Sequence, residues 1–211
     1  MNRKKKEGNR SKKNWFVPND QQMLSSTSKQ EDKYSRFVFF WRDKSPFSQW
    51  FPSKFTVDGI TFNCAEQFMM YQKALLFNDM DVAVAILNAD TPGEQKKLGR
   101  MVSNFDTAVW NKHCLDIVFR GNMAKFSQNK KMYDAIMCPK FAGKEFVEAS
   151  PVDSIWGIGL DEAKARRIDP SQWRGKNLLG KTLTRVRDEL QAQAESATTI
   201  SDDNTSNNNS I

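Results

Sequence analysis

Histidine and cysteine are nearly missing from this chain. Its 211 residues include one histidine, His113, and three cysteines, Cys64, Cys114 and Cys138. The cysteines form no close pair, which argues against a disulfide scaffold and against a CxxC zinc or redox site. A single histidine makes a zinc hydrolase, a histidine-based triad or a Cys/His protease hard to assemble. With no ligand cluster in the sequence, neither a metal nor a cofactor is expected. Long apolar runs are missing as well. No stretch reaches the roughly 18 residues that a membrane-spanning helix needs. The first residues are basic, yet no apolar segment follows them, which argues against a secretory signal. Scattered cysteines and missing targeting signals make the cytoplasm the expected compartment, with nuclear entry left open. The oligomeric state is not legible.

What is present is a composition able to build a core. Hydrophobic residues make up 39%, aromatics 11% and charged residues 27%, with a net charge of +7. The charge is uneven. Residues 1–34 carry nine basic and four acidic side chains, and residues 194–211 carry three acidic and no basic ones. The N-terminal segment is polar and unpatterned and is read as disordered. Its Arg3–Lys6 run fits either a solvated tail or a contact with nucleic acid or the import machinery. The Ser/Thr/Asn-rich segment 193–211 is low in complexity and is also read as disordered. One domain, 35–192, is left between them.

Within it, Phe37–Trp41 reads as a short buried strand. Lys54–Asn63 reads as a hairpin turning at Asp58-Gly59. Residues 65–77 follow a helical period but are apolar nearly all round, which predicts deep burial. A short helix is expected over 80–88. Thr91-Pro92-Gly93-Glu94 is a capping box that starts another, reaching about Met101. Asp106 would cap a long helix over 107–127, and a further helix covers 129–137. Phe146 and Val147 suggest a strand, and Ile155–Leu160 a strand or extended loop. The last helix runs from Leu178 to about Gln193. The fold class is therefore α+β, mainly helical, with a few short strands.

Several residues stand out chemically. Glu66 and Lys73 are the charged residues of the buried 65–77 helix. Their spacing puts them on one face, about 10 Å apart along the axis. They could grip a flat ring and a sugar together, or merely mark a helix edge at the solvent. Buried charge needs a partner or a task. Asp153 and Trp156 lie in a Pro- and Gly-rich stretch, where side chains can be presented rather than packed. They suit a base-and-sugar ligand, or else a capping Asp and a core Trp. Trp110 and His113 lie near the apolar stripe of the long helix and read as core. Arg100 ends a helix, where a cation is favoured in any case. Gly175 to Thr182 matches the P-loop pattern GxxxxGK[ST], but no buried strand precedes it. A turn entering a helix, with Asn177 as its N-cap, is the better reading.

Taken together these segments resemble the YbiA-like family, also called the NADAR domain. The matching stretches are Ser45–Trp50 with Phe55–Ile60, Ala65–Phe68 through Gln72–Ala74, Gly99-Arg100, Asp153–Leu160, and Trp173–Lys181 with Leu183 and Arg187. They occur in the family's order over about 45–190. The resemblance implies a compact, mainly helical domain with a pocket for a ribosylated base. Members are similar to N-glycosidases. Some cleave the base–ribose bond of riboflavin-pathway intermediates, and some remove ADP-ribose from guanine. ADP-ribosylated nucleic acid is thus one conceivable partner. Carried over, Glu66, Lys73 and Asp153 are the expected catalytic residues. Arg100, Trp110, Trp156, Gly157 and Asn177 are the expected substrate-binding ones. Two positions depart from the family: Gln67 stands where it often has His, and Gln49 where it often has Asn. If either touches substrate, the preferred base differs here or activity is lost.

The implied chemistry builds positive charge on ribose C1 and negative charge on the departing base. Glu66 or Asp153 would stabilise the first or activate water. Lys73 would protonate the base, or attack C1 of an opened ribose as a neutral amine. Trp156 would stack the base and Arg100 bind a phosphate. The competing classes are a non-catalytic ADP-ribose or nucleotide-binding module and a basic RNA-binding protein. The second predicts binding that falls steeply with salt.

Overall fold

The computed structural model describes residues 33–207. The segment 1–34 lies, but for its last two residues, outside them. The domain begins at Ser35. Strand β1 (Phe37–Phe40) forms where three phenylalanines and a valine can be buried together. It pairs in parallel with β4 (Glu145–Glu148), Phe37 facing Glu145 and Phe40 facing Glu148. The second sheet is the expected hairpin, β2 (Phe55–Val57) with β3 (Ile60–Phe62). Asp58 and Gly59 turn it with φ of 51° and 79°. Two positive φ values in a two-residue loop match the right-handed twist of the strands.

Helix α1 (Ala65–Leu76) is central. Phe68 and Ala74 on it are fully buried. It packs against α2 (Met80–Asn88), α3 (Pro92–Gly99) and α4 (Thr107–Gln128). The N-termini follow from side-chain caps. The Asp79 carboxylate accepts from the Val82 N–H, the Thr91 hydroxyl from Glu94 and the Asp106 carboxylate from Ala108 and Val109. Each cap satisfies a helix-end donor that otherwise has no partner. Then come α5 (Lys130–Ile136), a short α6 (Glu162–Ala165) and α7 (Leu178–Asn207). Helix α7 packs on α4 and β4. The architecture is α+β and mainly helical.

Of the two readings for Ile155–Leu160, strand or extended loop, the structure shows an irregular loop. Two expectations are corrected. His113 is exposed, not core, because the α4 stripe runs through Cys114, Ile117 and Val118 instead. Helix α7 continues beyond Gln193, across the boundary read from composition, to Asn207. Among the residues whose burial is described, its last core residue is Leu190. Residues 191–198 are exposed, and there Gln, Ala and Glu, good helix formers, carry the helix.

Candidate active site

Two adjoining cavities open where α1, the end of α3, β4 and two loops meet. The inner one, about 370 Å³, holds Glu66, Lys73, Trp110 and Trp156. The outer one, about 720 Å³, is lined by cations: Arg42, Lys96, Lys97 and Arg100. Ser48, Trp50, Glu148 and Asp153 line both.

Glu66 is 5% exposed, and burial pushes its carboxyl up to about 7. Lys96, a hydrogen bond from Trp50 and Arg100 pull the other way, while Asp153 adds to the rise. The Lys73 amine donates to the Gly99 carbonyl at 2.6 Å and lies 4.2 Å from the Phe105 ring centre. Burial lowers its pKa, and the nearby Arg100 adds to that. The two charges that the helical spacing put on one face do share a cavity.

Asp153 serves two ends. One carboxylate oxygen accepts from the Ile155 and Trp156 N–H groups, each at 2.8 Å. This tight turn presents Trp156 and leaves the side chain on the cavity wall. The loop is held from below by the segment that resembled a P-loop. The N–H groups of Gly175 through Leu179 donate to the carbonyls of Ile158, Ser154, Gly157, Ile155 and Trp156 in turn. These N–H groups are spent on the loop carbonyls and do not point at a phosphate. The approach is so close that a Cβ on Gly175 would sit 2.2 Å from the Gly157 oxygen.

Asn177 and Gly157 are brought near the site but do not line it. Asn177 does not cap α7 with its side chain. At φ 52° it points its amide at β4, accepting from the Glu148 N–H at 3.0 Å and donating to the Phe146 carbonyl at 3.0 Å. It positions Glu148. Gly157 is buried and packs against the Glu148 carbonyl. Arg100 is exposed at the mouth, and Trp110 half-buried inside.

The sequence reading missed Glu148, Trp50 and Lys96. Glu148 is a third carboxyl beside Glu66 and Asp153. Burial pushes it up to about 7, with Asp153 and Glu66 adding to the rise and Lys96 opposing it. Its Oε2 is buried with no hydrogen-bond partner among the described residues. One signal was available: an acid ending an apolar strand, one residue before the Ala-Ser-Pro that opens the Asp153 loop.

The two departures from the family fall differently. Gln67 lies outside both cavities. It accepts from the Asn63 N–H at 2.7 Å and donates to the Ile86 and Leu87 carbonyls at 3.1 Å. Gln49 lines the inner cavity. Its neighbourhood is fixed from two helices. The Glu66 N–H donates to the Gln49 carbonyl at 3.0 Å, and fully buried Lys125 donates to the Ser48 carbonyl at 2.8 Å. Burial drives the Lys125 amine down to about 7. Among the described residues no group of three or more His, Cys, Asp and Glu side chains is arranged to hold a metal, and no helix is long and apolar enough to cross a membrane.

Comparison with known proteins places these features in context. A family model described as the NADAR domain matches residues 39–191. The N-glycosidase R617 of Acanthamoeba polyphaga mimivirus is 46% identical over 150 residues, 69% of this chain and 87% of that protein. The protein irg-1 of Caenorhabditis elegans is 38% identical over 181 residues, 78% of this chain and 84% of that one. The NMR structure of the E. coli protein YbiA superposes with a TM-score of 0.61 at 22% identity. It covers 75% of this chain and 86% of YbiA, a likeness of fold.

Proposed function

This chain belongs to the NADAR domain family, and from that premise we propose that it is an N-glycosidase hydrolysing the base–ribose C–N bond of a ribosylated nucleobase. The substrate is a riboflavin-pathway intermediate or ADP-ribose linked to guanine, in the second case also on nucleic acid. The observation that carries the reading is the buried Glu66 carboxyl, facing a cavity it shares with the Lys73 amine and the indoles of Trp110 and Trp156.

The residues divide the work by chemistry. Trp156 and Trp110 offer flat apolar faces to a base. Arg100, with Lys96 and Lys97 in the outer cavity, suits phosphate groups. As the C–N bond breaks, the bonding pair leaves with the base and C1 becomes cationic. A carboxylate from Glu66 or Asp153 stabilises that charge or takes a proton from the attacking water. The water oxygen bonds to C1, and the base acquires a proton. Glu66 and Glu148, both raised to about 7, can hold and release protons near neutrality. Lys73 gives a proton to the base, or attacks C1 of the opened ribose as a neutral amine, a form its lowered pKa favours.

The test is base release, followed by chromatography, from the ribosylaminopyrimidine phosphate of the riboflavin pathway and from guanine-linked ADP-ribose. Release by wild type and not by Glu66→Gln or Lys73→Ala supports an N-glycosidase, and the better substrate identifies the branch. Borohydride trapping of a sugar on Lys73 selects the Schiff-base route. No release, with ADP-ribose still bound tightly, would make the protein a binding module.

A further inference from the structure

A backbone carbonyl in α4 sets the polarity of a buried amide chain that ends at the inner cavity. Asn122 is fully buried, and its Nδ2 donates to the Val118 carbonyl at 2.8 Å. A carbonyl only accepts, so the amide facing it must show its nitrogen. The second hydrogen of that nitrogen meets Gln49 Oε1 at 3.0 Å. The Gln49 oxygen is thereby committed to Asn122, and its nitrogen is turned the other way. Gln49 is 9% exposed, lines the inner cavity, and its Nε2 has no partner among the described residues. A buried N–H without an acceptor is unfavourable, and folded proteins rarely tolerate one without a use. The main chain here cannot swing freely, because the Ser48 and Gln49 carbonyls are held by Lys125 and by the Glu66 N–H.

We infer that Gln49 is a specificity-determining residue, whose amide N–H recognises a carbonyl-type acceptor on the departing base. The inference rests on the N-glycosidase reading for the identity of the ligand and adds which face of the base the cavity selects. A base carrying an exocyclic amine in the same place would set N–H against N–H. Asn122 is a positioning residue, since it acts through Gln49. A flexible amide alone would accept either base by flipping. The Val118 carbonyl forbids that flip.

The experiment measures binding of free hypoxanthine and free adenine, which differ by a carbonyl and an amine, alongside base release. Calorimetry with the full chain reads the ratio of affinities. Wild type is expected to favour hypoxanthine by about tenfold or more, the size of one satisfied against one opposed hydrogen bond. Gln49→Glu, at mildly alkaline pH where the carboxylate stays ionised, replaces the donor by an acceptor and should invert the preference. Gln49→Met, of similar shape, should erase it. Thermal unfolding checks that each variant is folded. If the glutamate variant does not fold, the methionine variant decides. Equal affinities in wild type, an unchanged ratio in the folded variants, or binding of neither base would overturn the donor role. The two readings fail separately. A hypoxanthine preference without base release sinks the hydrolase and keeps the donor, and base release without the preference does the reverse.

Discussion

Glu66 and Gln67 are neighbours on one helix, yet they serve two buried polar clusters of opposite character. On the Gln67 side every partner is present. Gln67 joins Asn63, Ile86 and Leu87, while Gln95 donates to the Ala89 carbonyl at 2.8 Å and to Asn63 at 3.1 Å. The Cys64 thiol closes that network on Gln95 at 3.2 Å. On the Glu66 side the network is open. The buried polar atoms without a partner among the described residues are Gln49 Nε2, Asn122 Oδ1 and Glu148 Oε2. Gln49 and Glu148 line the inner cavity, and Asn122 is bonded to Gln49. A closed polar network is structural, since it exchanges water for protein partners at little net cost. An open one at a cavity is poised for a ligand.

This contrast can be broken in order of effect. Lys73→Ala or Glu66→Gln should lower turnover by about 10²–10⁴-fold, the usual share of a positioned acid, base or nucleophile. Both should leave the fold intact, as base release and thermal melting of the same samples would show. Gln67→Ala should do the opposite. It strands the Asn63 N–H and takes the amide donor from the Leu87 carbonyl, while the Ile86 carbonyl keeps the Ala89 N–H. The loss costs about 2–4 kcal/mol in denaturant unfolding and leaves the rate per folded molecule unchanged. A lost rate at full folding would erase the distinction between the two clusters.

The third effect is on pH. Glu66 and Glu148 rise from 4.5 to about 7 on folding, so the folded chain keeps protons that the unfolded chain releases in that window. Stability falls as pH climbs from 4.5 to 7. Lys125 moves the other way, from 10.5 down to about 7. Its charge is carried in both states below 7, and above 7 only the unfolded chain holds the proton, so stability rises towards 10.5. The two limbs predict a minimum near neutrality in melting temperature against pH. Up to about pH 9, Lys125→Met should flatten the upper limb except for the share of Lys73, and Glu66→Gln part of the lower; above 9 the Cys64 thiol, pushed up to about 11 by burial, works against the rise. A maximum near neutrality would contradict both assignments. The smallest effect is expected outside both clusters. Arg120 and Asp58 pair at 3.1 Å with side chains 50% and 73% exposed. Arg120→Ala should cost under about 1 kcal/mol and leave turnover alone.

Much of this was legible in the chain. The hairpin at Asp58-Gly59, the caps at Thr91 and Asp106, and the buried helix carrying Glu66 and Lys73 were read from local pattern and appear in the structure. Glu148 was not, because its one signal, an acid closing an apolar strand, does not say that a loop will fold over it. Asn177 was read as a helix cap and a pocket residue. It bonds instead to the backbone of β4, more than two dozen residues earlier in the chain. Gln67 and Gln49 were weighed alike as departures, yet one is structural and the other faces the cavity.

The sequence by itself determined the turns, the helix starts and the order of the motifs. Those depend on φ preferences, side-chain caps and hydrophobic period, which act within a few residues. Tertiary structure alone decided which polar groups are left without partners. Partnership is settled by contacts between segments far apart in the chain, such as Val118 through Asn122 to Gln49 and Asn177 to Glu148. Desolvation follows from the same packing, which is why Glu66, Glu148 and Lys125 acquire shifted pKa values that no local pattern foretold.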